Sequence, residues 1–123
     1  MKLLTLSLAF LLCLPLLLLA DILNVPDDHE TIMGAIEAAE DNDTVLVEPG
    51  EYHEHINFQG KSIIVASLYL ITDDDSYITE TIIDGSNEAR VVDMRNAEDE
   101  ESVLCGFTIQ NGAATYGGGI YCR

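Results

Sequence analysis

Positive charge is what this sequence has least of. Lys and Arg together number 5 against 22 Asp and Glu, and the formal net charge at pH 7 is −17. A surface of that sign repels phosphate backbones, which excludes nucleic acid as a partner, and it disfavours docking on anionic lipid headgroups. It suits a solvated, exported protein and is compatible with divalent-cation binding. Cysteine is scarce too: Cys13 lies in the N-terminal apolar run, leaving Cys105 and Cys122. Neither has a nearby His in sequence, so nothing points to a thiolate nucleophile. Helical patterning is the third shortage, with a single amphipathic stripe that ends before residue 43.

What is present begins with "MKLLTLSLAFLLCLPLLLLA". Lys2 is a short positive n-region, Leu3 to Leu19 carry no charge, and Ala20 is a small residue where the composition turns acidic. This reads as a signal peptide over 1–20 and predicts export to the outside or the cell surface. The alternative is an uncleaved anchor, against which stand the length of the run and Pro15 within it. After cleavage no membrane span is expected. The remaining 103 residues keep Lys61, Arg90, Arg95 and Arg123 as their fixed cations, so their formal charge is 4 − 22 = −18.

Residues 21–43 read as a short strand (Ile22, Leu23, Val25) and a capping helix over about 30–40. Asp27, Asp28 and Thr31 offer N-capping oxygens. Ile32, Ala35, Ile36 and Ala39 fall on one face. From Asp43 onward the apolar period is two, as in "TVLVEPGEY", "HEHINFQGKSIIVAS" and "TIIDGS", with turns at Pro49-Gly50, Gln59-Gly60 and Asn111-Gly112. Strands of about four to six residues are expected, and no further helix. The uneven spacing, stretched by 68–80, favours a parallel coiled arrangement over an antiparallel sandwich. Cys105 alternates with Val103, Phe107 and Ile109, and Cys122 with Ile120, so both thiols are expected to face inward. They are then either small unpaired hydrophobes or a disulfide permitted by export.

The stretches "VPDDHETIMGAIEAAEDNDTVLVEPGEYHEHINFQGKSIIVAS", "TIIDGS" and "GFTIQNGAATYGGGIYC" resemble the right-handed parallel β-helix family with the pectin-lyase-like fold. More narrowly they are similar to secreted bacterial β-helix repeat proteins, and "GGGIY" also resembles polymorphic outer-membrane protein repeats. The resemblance implies an all-β solenoid with an N-terminal capping helix, residues 44–123 being its first coils. About three coils are read before Arg123. A solenoid needs both ends covered, so the chain is expected to continue into further coils or to meet a partner there.

Candidate chemistry is sparse. Asp73, Asp74 and Asp75 lie side by side and could gather round Ca²⁺, or be a solvated loop tip. Asp84 and Asp93 follow strand cores and could stack between coils or stabilise turns. His53 and His55 sit two apart, the start of a metal site if both lie on one strand face, although no third ligand is evident. Tyr69, Tyr77, Tyr116 and Tyr121 could stack on sugars or be ordinary surface residues. Asn96 and Asn111 end strands, and the family's internal asparagine ladders imply a structural role for Asn111. Related polysaccharide lyases use calcium-binding acids with an Arg or Lys base. Arg90 and Arg95 match no such motif, so no catalytic residue is carried over, and both are expected to face outward, paired with acids. The expected function is a non-catalytic structural or glycan- and surface-binding segment. The alternatives are a polysaccharide lyase or glycoside hydrolase whose catalytic coils lie beyond Arg123, or a self-contained protein whose last coil is covered by a partner.

Overall fold

The computed structural model describes residues 20–95 and 101–123. The leader read at 1–20 lies outside them except for Ala20, and so does Asn96. In chain order the elements are β1 (Ile22–Val25), α1 (Ile32–Ala38), β2 (Thr44–Val47), β3 (Gly50–His53), β4 (Ile56–Asn57), β5 (Ile64–Ser67), α2 (Tyr69–Thr72), α3 (Ser76–Glu80), β6 (Thr81–Asp84), β7 (Val92–Met94), β8 (Val103–Cys105), β9 (Thr108–Gln110) and β10 (Ile120–Cys122). The strands hold two to four residues, shorter than the sequence pattern predicts.

These strands make three sheets: β1-β2-β5-β8 (sheet A), β3-β6-β9 (sheet B) and β4-β7-β10 (sheet C). Every pairing is parallel, which rules out the antiparallel sandwich. After β1 the chain passes from A to B to C and returns to A, giving the rungs β2-β3-β4, β5-β6-β7 and β8-β9-β10. Corners as short as 48–49, 54–55 and 106–107 turn the chain from one sheet to the next. The longer turns stack through backbone bonds, Gly85 N–H to Gln110 O at 3.0 Å and Asn87 N–H to Asn111 O at 2.8 Å among them.

Alternation along each strand sends one row of side chains inward. The rows are Leu23–Val45–Val65–Leu104 in sheet A, Tyr52–Ile83–Ile109 in sheet B and Ile56–Val92–Ile120 in sheet C. Phe58, Ile63 and Val91 complete the core from the turns. Val and Ile suit such rows because their stiff, branched side chains pack well on a pleated surface. Full burial of each is worth roughly 1.5–3 kcal/mol.

Helix α1 lies over β1, β2 and β4 and buries Ile32, Ala35 and Ile36 against this core. It is shorter than the predicted 30–40. Thr31 is the N-cap, its Oγ1 accepting from Gly34 N at 2.9 Å, and extended backbone at Ala39 ends the helix. Asp28, a candidate cap, instead accepts from Asn24 N at 2.9 Å. A helix leaves unsatisfied donors at its start and acceptors at its end. Here the first rung meets both: Glu54 accepts from Ile32 N and Met33 N, each at 2.9 Å, and Lys61 Nζ donates to Ile36 O at 2.7 Å. Each charge also opposes the helix dipole in the favourable sense.

Two expectations need correction. The expectation of no further helix fails at 68–80, which contain α2 and α3, of four and five residues, too short to leave an apolar stripe in the sequence. The thiols are not buried. Cys105 lies opposite Ala66, on the other face of β8 from Leu104, and is only half-buried. The alternation read through 103–109 breaks at Gly106, whose φ of +82° lets Leu104, Phe107 and Ile109 all reach the core. A Cβ at Gly106 would collide with Ser67 Oγ. Cys122 shares its face with Ile120 but is exposed on the last rung, 3.9 Å from Met94 Sδ, and both cysteines are free thiols. No helix among the described residues is long and apolar enough to cross a membrane.

Candidate functional site

The outward faces of sheets B and C gather the side chains that can carry chemistry. In-register parallel strands place equivalent residues about 4.8 Å apart. Residues distant in sequence therefore become neighbours.

On sheet B the outward row is His53–Asp84–Gln110. Asp84 is 5% exposed, and a carboxylate so covered must be hydrogen-bonded. Its Oδ2 accepts from Gln110 Nε2 at 2.9 Å and Asn111 Nδ2 at 2.8 Å, and its Oδ1 from Ser86 N at 2.7 Å. The Gln110 bond foremost, then those from Ser86 and Asn111, hold Asp84 below the usual carboxylate range, with a smaller contribution from His53. At the rim, His53 Nδ1 lies 3.9 Å from Asp84 Oδ1 and 3.3 Å from Ser86 Oγ, and its Nε2 is 3.4 Å from Glu51 Oε1. Glu51 and His53 are more than half exposed, two residues apart on one face of β3. One donor atom each from Glu51, His53 and Asp84 falls within 4.8 Å of the others, the only such group among the described residues.

Ser86, His53 and Glu51 are also a hydroxyl, an imidazole and an acid in contact. The backbone donors beside the hydroxyl are occupied. Ser86 N–H is bonded to Asp84 and Asn87 N–H to Asn111 O, so neither is free for an oxyanion.

On sheet C the outward row is Asn57–Asp93–Tyr121. Asp93 accepts from Arg95 Nη2 at 2.7 Å and from Arg90 Nη1 at 3.4 Å. Arg95's hydrogen bond is the main reason its carboxyl titrates below the usual range. Both guanidiniums lie against the Tyr121 ring, at 4.5 Å (Arg90) and 5.3 Å (Arg95) from its centroid. Arg90 and Arg95 are thus paired with acid as expected. Two guanidiniums thus share one carboxylate and one aromatic ring on this face.

The two histidines do not share a site. The chain turns between them at Glu54, and His55 Nδ1 meets Arg90 O at 3.0 Å while its Nε2 is 3.8 Å from Glu88. The acids that do lie beside His53 are Asp84, brought from β6 by strand pairing, and Glu51, two residues back on β3. Asp73, Asp74 and Asp75 sit between α2 and α3. Asp74 Oδ1 accepts from Ser76 N at 3.0 Å and Ser76 Oγ at 2.7 Å. The charges of Asp73 and Asp75 raise the Tyr69 hydroxyl. Asn111, read as structural, bonds Asp84. Tyr69 and Tyr77 belong to the inserted helices, whereas Tyr116, 73% exposed, has its carbonyl 3.3 Å from Arg90 Nη2, beside Tyr121. Compared with known proteins, the chain matches no family model, no curated protein and no solved structure.

Proposed function

We propose that this chain is an exported segment of a right-handed parallel β-helix of the pectin-lyase-like type, serving as a structural or glycan-binding module. The observation that carries the reading is the repeated A-to-B-to-C order of parallel strands. Parallel crossover connections are right-handed in almost all sheets, which supports that hand here. Export rests on the leader at 1–20.

The surface best suited to a saccharide is the outer face of sheet C. Tyr116 offers an exposed ring, Tyr121 and Asn57 lie in or near the same row, and half-exposed Arg95 supplies donors beside Asp93. Amphipathic rings and planar donor forks suit sugar hydroxyls and carboxylates, and the two guanidiniums beside Tyr121 favour an acidic glycan. The test is binding of the full chain to immobilised neutral and acidic oligosaccharides. Retention of acidic oligosaccharides, weakened in Tyr116→Ala and in Arg95→Ala, is the expected result. Equal retention by both variants would remove the binding face from sheet C. Release of new reducing ends or unsaturated products from a polysaccharide would overturn the non-catalytic reading. A fusion of residues 1–20 to a reporter that stays inside the cell would overturn export.

A further inference from the structure

We propose that Glu51, His53 and Asp84 bind a divalent first-row transition-metal ion of the Zn²⁺ type on the outer face of sheet B. The site stands apart from the glycan-binding face on sheet C and does not depend on it.

The donor set is one imidazole nitrogen and two carboxylates, which suits ions of intermediate softness. Ca²⁺ prefers six to eight oxygens, and a site with an imidazole among three protein ligands does not supply them. Bond lengths of ~2.1 Å to each ligand give donor-to-donor separations of roughly 3.4 Å in a tetrahedral shell. As the side chains stand, Glu51 Oε1 is 3.4 Å from His53 Nε2 and Asp84 Oδ1 is 3.9 Å from His53 Nδ1, and a single ion takes only one of these two nitrogens. One donor atom from each residue nevertheless lies within 4.8 Å of the other two, so rotation of the ring or of the Glu51 carboxylate brings one nitrogen and both carboxylates to that spacing. The remaining adjustment falls on Glu51 and His53, whose side chains are 51% and 58% exposed and free to rotate. Asp84 stays in place.

Asp84 is built like a ligand held from behind. Its Oδ2 is engaged by both amides, from Gln110 and Asn111, while its Oδ1 has only Ser86 N and faces the imidazole edge. Such outer bonds orient ligating carboxylates in metal sites. The same bonds would also serve a simple turn brace, but a brace has no use for Glu51 and His53 at its rim. Charge points the same way. Glu51 and Asp84 are two of the 22 acids behind the chain's net charge of −17, with no Lys or Arg in ion-pair contact with either among the described residues. A divalent ion cancels the charge of those two carboxylates. Its open positions face solvent.

The experiment titrates Zn²⁺ into the metal-stripped full chain, following heat release and the imidazole NMR signals of His29, His53 and His55. One saturable Zn²⁺ per chain is expected, with only the His53 ring signals shifting strongly. His53→Gln and Glu51→Gln should each weaken binding at least 10-fold, and Gln110→Ala should weaken it roughly 10–100-fold through the outer bond. His55→Gln, two residues away but outside the group, should bind normally. Both key substitutions are at exposed positions, and circular dichroism will show the fold retained. The proposal is overturned by no saturable binding, by binding unchanged in His53→Gln, by equal shifts at His29 or His55, or by Ca²⁺ displacing Zn²⁺ at equal concentration.

Discussion

At one end of the stacked strands, helix α1 lies across β1, β2 and β4. At the other, β8, β9 and β10 are the last strands of their sheets, with nothing paired beyond them among the described residues. The same inward row records the difference: Ile56 is 1% exposed, Val92 0% and Ile120 47%. All three are β-branched aliphatics at equivalent register positions, so residue type does not explain it. A side chain in a stacked sheet is buried by the rungs on both sides, or by a cap that replaces one of them. Ile56 has the helix and Val92 has two rungs, whereas Ile120 has a neighbour on one side. The covered end is also pinned by side chains, since Glu54 and Lys61 of the first rung hold the two ends of α1.

The contrast predicts unequal costs of truncation. Phe58→Ala, in the fully buried region, should lose about 3–5 kcal/mol by urea denaturation. Ile120→Ala should lose less than about 1 kcal/mol, because most of the area it would bury is already wet. Comparable losses would mean that the far end is covered in solution. A smaller effect tests the pinning. Glu54→Ala frees two helix donors and should cost about 1–2 kcal/mol, seen also as faster amide exchange in α1 with β8–β10 unchanged. Exchange that rises equally at both ends would break the comparison.

The smallest effect is acid sensitivity. Asp84 links the middle rung to the last through Gln110 and Asn111, Asp93 is braced within its own rung by Arg90 and Arg95, and both titrate below the ordinary carboxylate value in the folded chain. Unfolded, each titrates near 3.9. Their contribution is therefore complete above that pH and is lost as pH falls toward their lower folded values. Asp84→Asn should consequently show a shallower loss of stability below about pH 4 than the unsubstituted chain, with the change concentrated in β6 and β9. An unchanged acid profile would remove Asp84 as a link between those rungs.

Much of the fold was legible because it depends on neighbours in sequence. The stripe of Ile32, Ala35 and Ile36, the cap at Thr31 and the period-two runs after Asp43 all report local backbone geometry. What failed also failed locally. Gly106 enters the left-handed region and shifts the alternation by one, so Cys105 was assigned to the wrong face. The short helices at 69–72 and 76–80 hold too few residues to show a period. The residues of the sheet B cluster are partly legible in sequence: His53 stands out as a candidate ligand without a third partner, and both readings of Asp84, turn brace and link between coils, hold, whereas Glu51 and Gln110 carry no local signal.

By itself, then, the sequence determined a strongly acidic chain with an apolar N-terminal run, one amphipathic helix and a run of short strands whose turns suit parallel stacking. Only the tertiary structure decided which strands lie side by side. The register advances by different amounts at each step: Thr44 meets Ile64, but Ile64 meets Val103, and His53 meets Asp84, but Asp84 meets Gln110. Those advances depend on how each corner loops out, from two residues to the helical insertion at 68–80. Loop length adds little free-energy cost once the ends are held by sheet pairing. The strand pattern therefore constrains the corners weakly: Glu51 and His53 meet through their spacing on β3, but Asp84 joins them only through pairing across the sheet.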